Sequence, residues 1–133
     1  MTPYEIAKGE IGQKEIAGTG NNPRIVEYHQ TTSLKATTDE VSWCSSFVNW
    51  CCKQAGLKGT DSAAARSWLK WGEQLKQPIE GCIVVFKRGA PPSGHVGFFV
   101  KRDGTTVTVL GGNQSDQVKI SVYKASDVLG YRG

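Results

Sequence analysis

The sequence predicts an α+β fold in which helices come first and an antiparallel sheet follows. Apolar residues recur at helical spacing in the first half of the chain, whereas the second half contains short runs rich in Val, Ile and Phe between turn residues. The change falls near residues 78–81 (PIEG). Because helices and strands are segregated and do not alternate, the pattern argues against βαβ units.

Two short helices are predicted before residue 31. Tyr4, Ala7 and Ile11 lie on one face of an opening helix, and the glycines that follow predict a loop. Asn22 followed by proline is an N-cap signal for a second helix over 24–30. Its inward-facing residues are expected to be Ile25, Val26 and His29.

A longer, buried helix is predicted after the acidic residues Asp39 and Glu40. Apolar residues occupy two neighbouring stripes, so this helix is apolar nearly all round, and Gly56 ends it. The stripes are Trp43, Phe47, Trp50 and Gln54, and Cys44, Val48, Cys51 and Ala55. A further helix is expected over 63–71, with a cap offered within 60–62.

The second half of the chain predicts an antiparallel meander. Asp103-Gly104 is a hairpin signal between the second and third strands, and Ser115-Asp116 lies between the third and fourth. The predicted strands cover 82–87, 95–101, 105–110 and 117–123, with an edge strand over 128–131.

Size and charge exclude several classes of protein. The 133 residues are enough for one globular domain with its own core, and the net charge of +4 is dispersed, so no nucleic-acid-binding surface is predicted. The longest apolar run, 82–86, is far shorter than the ~20 residues that span a bilayer, and the N-terminus does not resemble a signal peptide. We expect a protein made in the cytoplasm without stable membrane insertion.

The four cysteines are expected to be free thiols. Cys51 and Cys52 are adjacent, and no secretory signal indicates an oxidising compartment. Neither C-x-x-C nor H-x-x-x-H spacing occurs. A zinc site is therefore not favoured, and no metal or cofactor is predicted.

Cys44, His95 and Asn113 are candidates for a catalytic group. Cys44 falls near the start of the central helix, where unpaired N–H groups and the helix dipole favour a thiolate. His95 opens a strand, and Asn113 ends the neighbouring strand, where it can accept the other imidazole N–H. His29 is expected to be structural. Each residue alone is more often structural too, but Cys, His and Asn in this order are typical of papain-like thiol hydrolases.

Four segments carry recognisable motifs: 22–25 (NPRI), 39–50 (DEVSWCSSFVNW), 94–98 (GHVGF) and 110–114 (LGGNQ). Together they resemble the cell-wall amidases and peptidases of the CHAP and NlpC type, in particular the small single-domain branch common among phage lysins. The resemblance covers essentially the whole chain, and the pairing of the W-C-S-x-F and G-H-V-G motifs is specific.

The resemblance implies that residues 1–133 form a single papain-like catalytic domain that hydrolyses amide bonds in peptidoglycan. Cys44 would be the nucleophile and His95 the base, and Asn113 would take the place of the third polar residue that orients the imidazole. The family often has Gly-Asp at the start of the first strand, where this chain has Gly81-Cys82. Cys82 is then either inert or a second thiol near the site.

The oxyanion of the reaction needs donors, and the backbone N–H of Cys44 is the first candidate. Tyr28 is a candidate second donor, since related enzymes use a tyrosine upstream of the nucleophile; the alternative is an ordinary core tyrosine. Trp43, next to the nucleophile, is expected to line the cleft. The remaining tryptophans are expected in the core, and they are Trp50, Trp68 and Trp71.

The leading interpretation is therefore a monomeric, cysteine-dependent peptidoglycan amidase or endopeptidase, either a phage endolysin or a bacterial wall hydrolase. It would act in the periplasm or cell wall after holin release or delivery by a secretion machine. An acyl transferase on the same fold is the first alternative, because an amine can resolve a thioester in place of water. A catalytically inactive wall-binding module is the second.

Overall fold

A computed structural model of the chain describes residues 1–16, 20–37, 42–91 and 93–133. Helices occupy the first half and a five-stranded antiparallel sheet the second, so the predicted α+β class is confirmed. The predictions that involve Gly18, Asp39, Glu40 and Pro92 lie outside the described residues. Within the described residues, no helix has the length and apolar character that crossing a bilayer requires.

The first helix, α1, covers Pro3–Lys8 and is fixed at its start by a capping box. Thr2 accepts a hydrogen bond from the Glu5 backbone, while the Glu5 carboxylate accepts one from the Thr2 backbone. Ala7 is buried as expected. The prediction for Ile11 was wrong: it lies beyond the end of the helix and is 48% exposed, because the chain turns away after Gly9.

The second helix, α2, covers Pro23–His29 and confirms the predicted N-cap. The Asn22 side chain accepts a hydrogen bond from the Arg24 backbone at 2.9 Å. His29 is fully buried, and its Nδ1 lies 2.9 Å from the Ser46 hydroxyl oxygen. This contact ties α2 to the next helix and agrees with the structural role expected for His29.

The central helix, α3, covers Cys44–Gln54, and every residue from Cys44 to Cys52 is buried. This burial confirms the interpretation of a helix that is apolar nearly all round. The helix ends as predicted, because Gly56 adopts a φ of 78°, a left-handed conformation that glycine tolerates without steric cost.

The segment predicted as an α-helix over 63–71 is instead a short 3-10 helix at Ala65–Lys70. The reason is tertiary. The Asn49 side chain, buried on α3, accepts hydrogen bonds from the backbone of Thr60 and Asp61 and donates to the Ser62 carbonyl. These bonds hold residues 60–62 in a non-helical conformation, at the point where an α-helix would otherwise begin.

The sheet has the strand order β4-β3-β2-β1-β5, all antiparallel. Its strands are β1 (Ile83–Lys87), β2 (Gly94–Asp103), β3 (Thr106–Gln114), β4 (Gln117–Lys124) and β5 (Val128–Arg132). The predicted meander and the edge strand are thus confirmed. Ser115 and Asp116 both have positive φ, at 53° and 61°, which suits the tight turn between β3 and β4.

The helices cover one face of the sheet. Phe47 of α3 packs edge-on against Phe98 of β2, with ring centroids 6.5 Å apart, inside the main core cluster. A smaller apolar cluster fills the other face, where Phe99 of β2 meets Tyr131 of β5. The start of α3 therefore lies against the middle of the sheet, where β2 and β3 run side by side.

Candidate active site

Cys44 is the first residue of α3, as the sequence predicted. The first hydrogen bond of the helix runs from the Phe47 N–H to the Trp43 carbonyl, at 2.9 Å. The backbone amides of residues 44–46 precede this bond and have no carbonyl partner within the helix. A thiolate at this position gains from the positive end of the helix dipole.

His95 is the second residue of β2 and is buried, with 1% of its surface exposed. It pairs with Phe86 of β1, whose ring lies 6.4 Å from the imidazole, so the ring is held between neighbouring strands. The preceding residue must be small, because a Cβ at Gly94 would lie 2.9 Å from the Phe86 carbonyl oxygen. The glycine before His95 in the motif thus has a steric reason.

The structure brings Cys44 and His95 together. Burial alone would raise the pKa of the Cys44 thiol, but the neighbouring His95 imidazole acts in the opposite direction. A backbone hydrogen bond from Val96 and the charge of Arg88 add to this effect, and the pKa of Cys44 ends below its usual value. A thiol with a lowered pKa is more often present as the thiolate, which is the nucleophilic form of cysteine.

Gln114, at the end of β3, orients the imidazole. Its side-chain oxygen lies 2.8 Å from His95 Nε2, and its side-chain nitrogen donates to the carbonyls of Lys119 at 2.7 Å and Val109 at 3.3 Å. Because both amide hydrogens are used by carbonyls, the oxygen must face His95 and accept a hydrogen bond from Nε2–H. Nδ1 is then the nitrogen left to interact with Cys44, because it has no hydrogen-bond partner among the described residues.

The structure corrects the expectation for Asn113. Its side chain donates to the Ser42 hydroxyl at 3.4 Å and makes no hydrogen bond with His95. The pairing of β3 with β4 is irregular between Gly111 and Gln114, and Asn113 has a φ of 59°. This irregularity rotates the next side chain toward His95, so that Gln114 occupies the place expected for Asn113.

Two residues near His95, Tyr123 and Arg88, were not predicted from the sequence. Tyr123 of β4 places its ring 5.2 Å from the imidazole and its hydroxyl 3.3 Å from Nε2. Burial raises the pKa of Tyr123, while the charge of Arg88 acts in the opposite direction. The strand alternation places Tyr123 on one face of β4, but only the sheet order shows that this face reaches His95.

Tyr28 and Trp43 do not line the site. Tyr28 is fully buried, and its hydroxyl donates to Glu10 at 2.7 Å. Trp43 is also fully buried, and its indole N–H donates to Glu15 at 2.9 Å. The two rings pack against each other with centroids 5.9 Å apart. Both expectations, an oxyanion donor and a cleft wall, are therefore replaced by a shared core role.

The other tryptophans agree with a core role: Trp68 is fully buried, Trp50 is nearly so, and Trp71 packs against Trp68 with centroids 5.3 Å apart. All four cysteines are free, as predicted.

The remaining thiols differ from Cys44 in their acidity. Burial raises the pKa of the Cys51 and Cys82 thiols, and it raises the pKa of Cys52 to about 12. Cys82 belongs to the apolar cluster on the far face of the sheet, which fits an inert thiol.

Two surface cavities flank the Cys44–His95 pair. One, of about 350 Å³, includes Cys44 in its wall, and the other, of about 480 Å³, includes His95. Arg88 lines both. Among the described residues, no group of three or more His, Cys, Asp or Glu side chains is arranged to bind a metal ion.

Helices on one face of an antiparallel sheet, with a cysteine at a helix start facing a histidine on a strand, define a papain-like class of protein. The model of the CHAP domain matches residues 36–113, more than half of the chain and the part that holds both residues. The chain therefore belongs to the CHAP family, whose domains are generally cysteine- and histidine-dependent amidases or peptidases of the peptidoglycan hydrolase type. A search among curated proteins finds no match to this chain.

Proposed function

We propose that this protein is a cysteine-dependent hydrolase that cleaves an amide bond of bacterial peptidoglycan through a thioester on Cys44. One observation carries the proposal: the Cys44 thiol lies at the start of α3 against His95, and its pKa is lowered although the group is buried. A wall-binding module has no chemical need for such a pair, whereas acyl transfer from an amide requires it.

The reaction has two steps. The Cys44 thiolate attacks the amide carbonyl carbon, and the backbone N–H of Cys44 donates to the oxyanion that forms. The His95 imidazolium gives its Nδ1 proton to the amine as the C–N bond breaks, which leaves a thioester on Cys44. His95 then accepts a proton from water, the hydroxide attacks the thioester, and the carboxylic acid leaves as the thiolate is restored.

Gln114 supports both steps without touching the substrate. Its oxygen accepts the Nε2–H of His95 at 2.8 Å in the neutral and in the charged ring, so the ring keeps one orientation while Nδ1 gains and loses its proton. We propose Gln114 as the positioning residue of this site, in the place that the sequence assigned to Asn113.

We also propose where the protein acts. Its proposed substrate lies outside the inner membrane, so a phage endolysin or a bacterial wall hydrolase would reach it in the periplasm or wall, as a monomer, after holin release or delivery by a secretion machine. Four unpaired thiols are consistent with folding in a reducing compartment before such a transfer.

The test is mass spectrometry of the products released from purified peptidoglycan. The wild-type protein and Cys82→Ala, which removes an inert thiol, are expected to release fragments, whereas Cys44→Ala is not. The fragment masses identify the cleaved bond and thus distinguish an amidase from an endopeptidase. Products that carry an added amine acceptor would instead show an acyl transferase. If the folded, reduced wild type releases nothing from walls of several chemistries, wall hydrolysis is wrong.

A further inference from the structure

Arg88 holds a position that links the two halves of the candidate site. It follows the last residue of β1, is exposed, and lines both the cavity that contains Cys44 and the cavity that contains His95. Among the described residues, no other is shared by the walls of these two cavities. A group bound on Arg88 would thus lie beside the bond under attack, whichever cavity holds the rest of the ligand.

Arg88 brings a positive charge to the site. In the part of the chain that the structure describes, its guanidinium makes no ion pair with a carboxylate. Apart from the Cys44 thiol, it is the one ionisable side chain among the described residues that line the Cys44 cavity. The His95 cavity also contains Lys87 and Asp127, so its net charge is positive as well.

Arg88 also lies close to the Cys44–His95 pair. Its positive charge lowers the pKa of Cys44 and opposes the rise in the pKa of Tyr123, whose ring centroid is 5.2 Å from that of His95. A guanidinium has five N–H donors. Two parallel N–H groups match the two oxygens of a carboxylate, which gives arginine both affinity and a preferred geometry for that group.

We propose that Arg88 is a specificity-determining residue that binds a free carboxylate of the substrate next to the amide that is cleaved. The preferred substrates are then peptides that carry a carboxylate beside the scissile bond, and the forms in which this group is amidated are poor substrates. The identity of the ligand as a wall peptide rests on the proposed function, whereas an anion-binding position beside Cys44 does not.

The anion-binding position is tested with two alkylating reagents of nearly the same shape, iodoacetate, which is an anion, and iodoacetamide, which is neutral. Both react with the Cys44 thiolate, so the ratio of their rates cancels any change in the thiolate fraction. Arg88→Gln is expected to lower the iodoacetate-to-iodoacetamide ratio about tenfold, the effect of a charge-assisted contact of about 1.4 kcal/mol. Arg88→Lys keeps the positive charge but lacks the paired N–H groups of the guanidinium. Its ratio is therefore expected to lie between those of the wild type and Arg88→Gln.

Two variants control for charge in general. Lys87→Gln removes the neighbouring cation, and Arg102→Gln removes a cation near the β2–β3 hairpin, where its side chain bonds to the Gly104 carbonyl. Both are expected to change the ratio less than twofold. An unchanged ratio in Arg88→Gln, or an equal fall in Lys87→Gln, would show that no specific anion position exists at Arg88.

The substrate class is tested with matched wall peptides that differ only in a carboxylate or carboxamide beside the scissile amide. The wild type is expected to favour the carboxylate form in kcat/KM by about tenfold or more, and Arg88→Gln to lose that preference. If both proteins cleave both forms with the same preference, the inference is wrong and the proposed function stands. If neither peptide nor wall is cleaved while the alkylation ratio still depends on Arg88, the proposed function is wrong and the anion position stands.

Discussion

The acidity of Cys44 depends mainly on the neighbouring His95 ring. Burial opposes the thiolate, and His95 is the largest of the influences that favour it. A thiol whose pKa is lowered by a partner loses that advantage when the partner is removed, whereas the cost of burial remains. The pH dependence of alkylation therefore reports the pairing directly and requires no substrate.

In the wild type, the rate of Cys44 alkylation by iodoacetamide is expected to rise with pH around a midpoint below ~8.5, the value of an ordinary thiol. In His95→Ala the midpoint is expected to rise, because the largest influence that opposes burial is lost while the cost of burial remains. The measurement is peptide mass spectrometry after timed labelling. Cys82, whose pKa is raised by burial, is the internal control. Identical midpoints in the two proteins would contradict the pairing.

Gln114 and Asn113 offer a comparison between adjacent residues. Gln114→Ala leaves His95 Nε2 without its acceptor, a loss of about 1–3 kcal/mol, and we expect kcat to fall about tenfold or more. Asn113→Gly keeps the positive φ and is expected to stay near wild type. Gln114→Glu keeps an acceptor and should retain more activity than the alanine variant. The reverse order, with Asn113 critical, would restore the assignment made from the sequence.

The sequence predicted the positions of Cys44 and His95 because each depends on local signals, a helix start and a strand start. The third residue could not be placed in this way. Whether Asn113 or Gln114 faces His95 is decided by the irregular pairing of β3 with β4, which involves residues far apart in the chain. Arg88 and Tyr123 were missed for the same reason, since the order of the strands decides what they face.

Among the elements, β3 approaches the start of α3 closely at Gly112. A Cβ at Gly112 would lie 2.7 Å from the Trp43 ring and 2.8 Å from Phe47 Cβ. Both residues are fully buried, so neither has room to move. The strand approaches the start of the helix this closely only because residue 112 has no side chain.

Gly112→Ala is therefore expected to lower the free energy of unfolding by about 1–3 kcal/mol, the usual cost of overpacking a core. Urea denaturation followed by tryptophan fluorescence measures this change. Gly9→Ala is the matched control, because that glycine has an ordinary φ and a Cβ there meets only a carbonyl oxygen at 3.4 Å. Equal stability of the two variants would show that the contact relaxes without cost.

The boundaries of the helices and strands show which parts of the fold can be predicted from local sequence patterns. All five strands and the first three helices follow from periodicity, caps and turn residues, and their predicted ends agree with the structure to within a few residues. The 3-10 helix at Ala65–Lys70 was predicted as an α-helix, because the anchoring by Asn49 comes from another element. Tertiary hydrogen bonds override local propensity there.

Over the whole molecule, 16 Lys and Arg side chains outnumber 12 Asp and Glu. A net positive protein is attracted to an anionic polymer over a range that salt shortens, from about 30 Å at 0.01 M to about 8 Å at 0.15 M. This effect concerns the approach to the wall and not the chemical step. The approach and the chemical step can be measured separately, because a small soluble wall fragment does not carry the long array of charges that an intact wall does.

Digestion of intact walls is accordingly expected to slow several-fold between about 0.01 M and 0.15 M salt, while hydrolysis of a small wall fragment changes less. Turbidity of a wall suspension and chromatography of the fragment give the two rates. An equal loss in both assays would place the salt effect in the site itself, where Arg88 is the first residue to examine.

The order of the site residues along the chain also sets when the Cys44 thiol becomes acidic. Cys44 precedes His95, and Gln114 comes later still, so Cys44 is synthesised before the residues that come to surround it. His95 and Val96, which lower the pKa of Cys44, both belong to β2, so their effect requires β2 to lie against α3. The acidity of this thiol is therefore a product of tertiary folding, and the nascent chain does not have it.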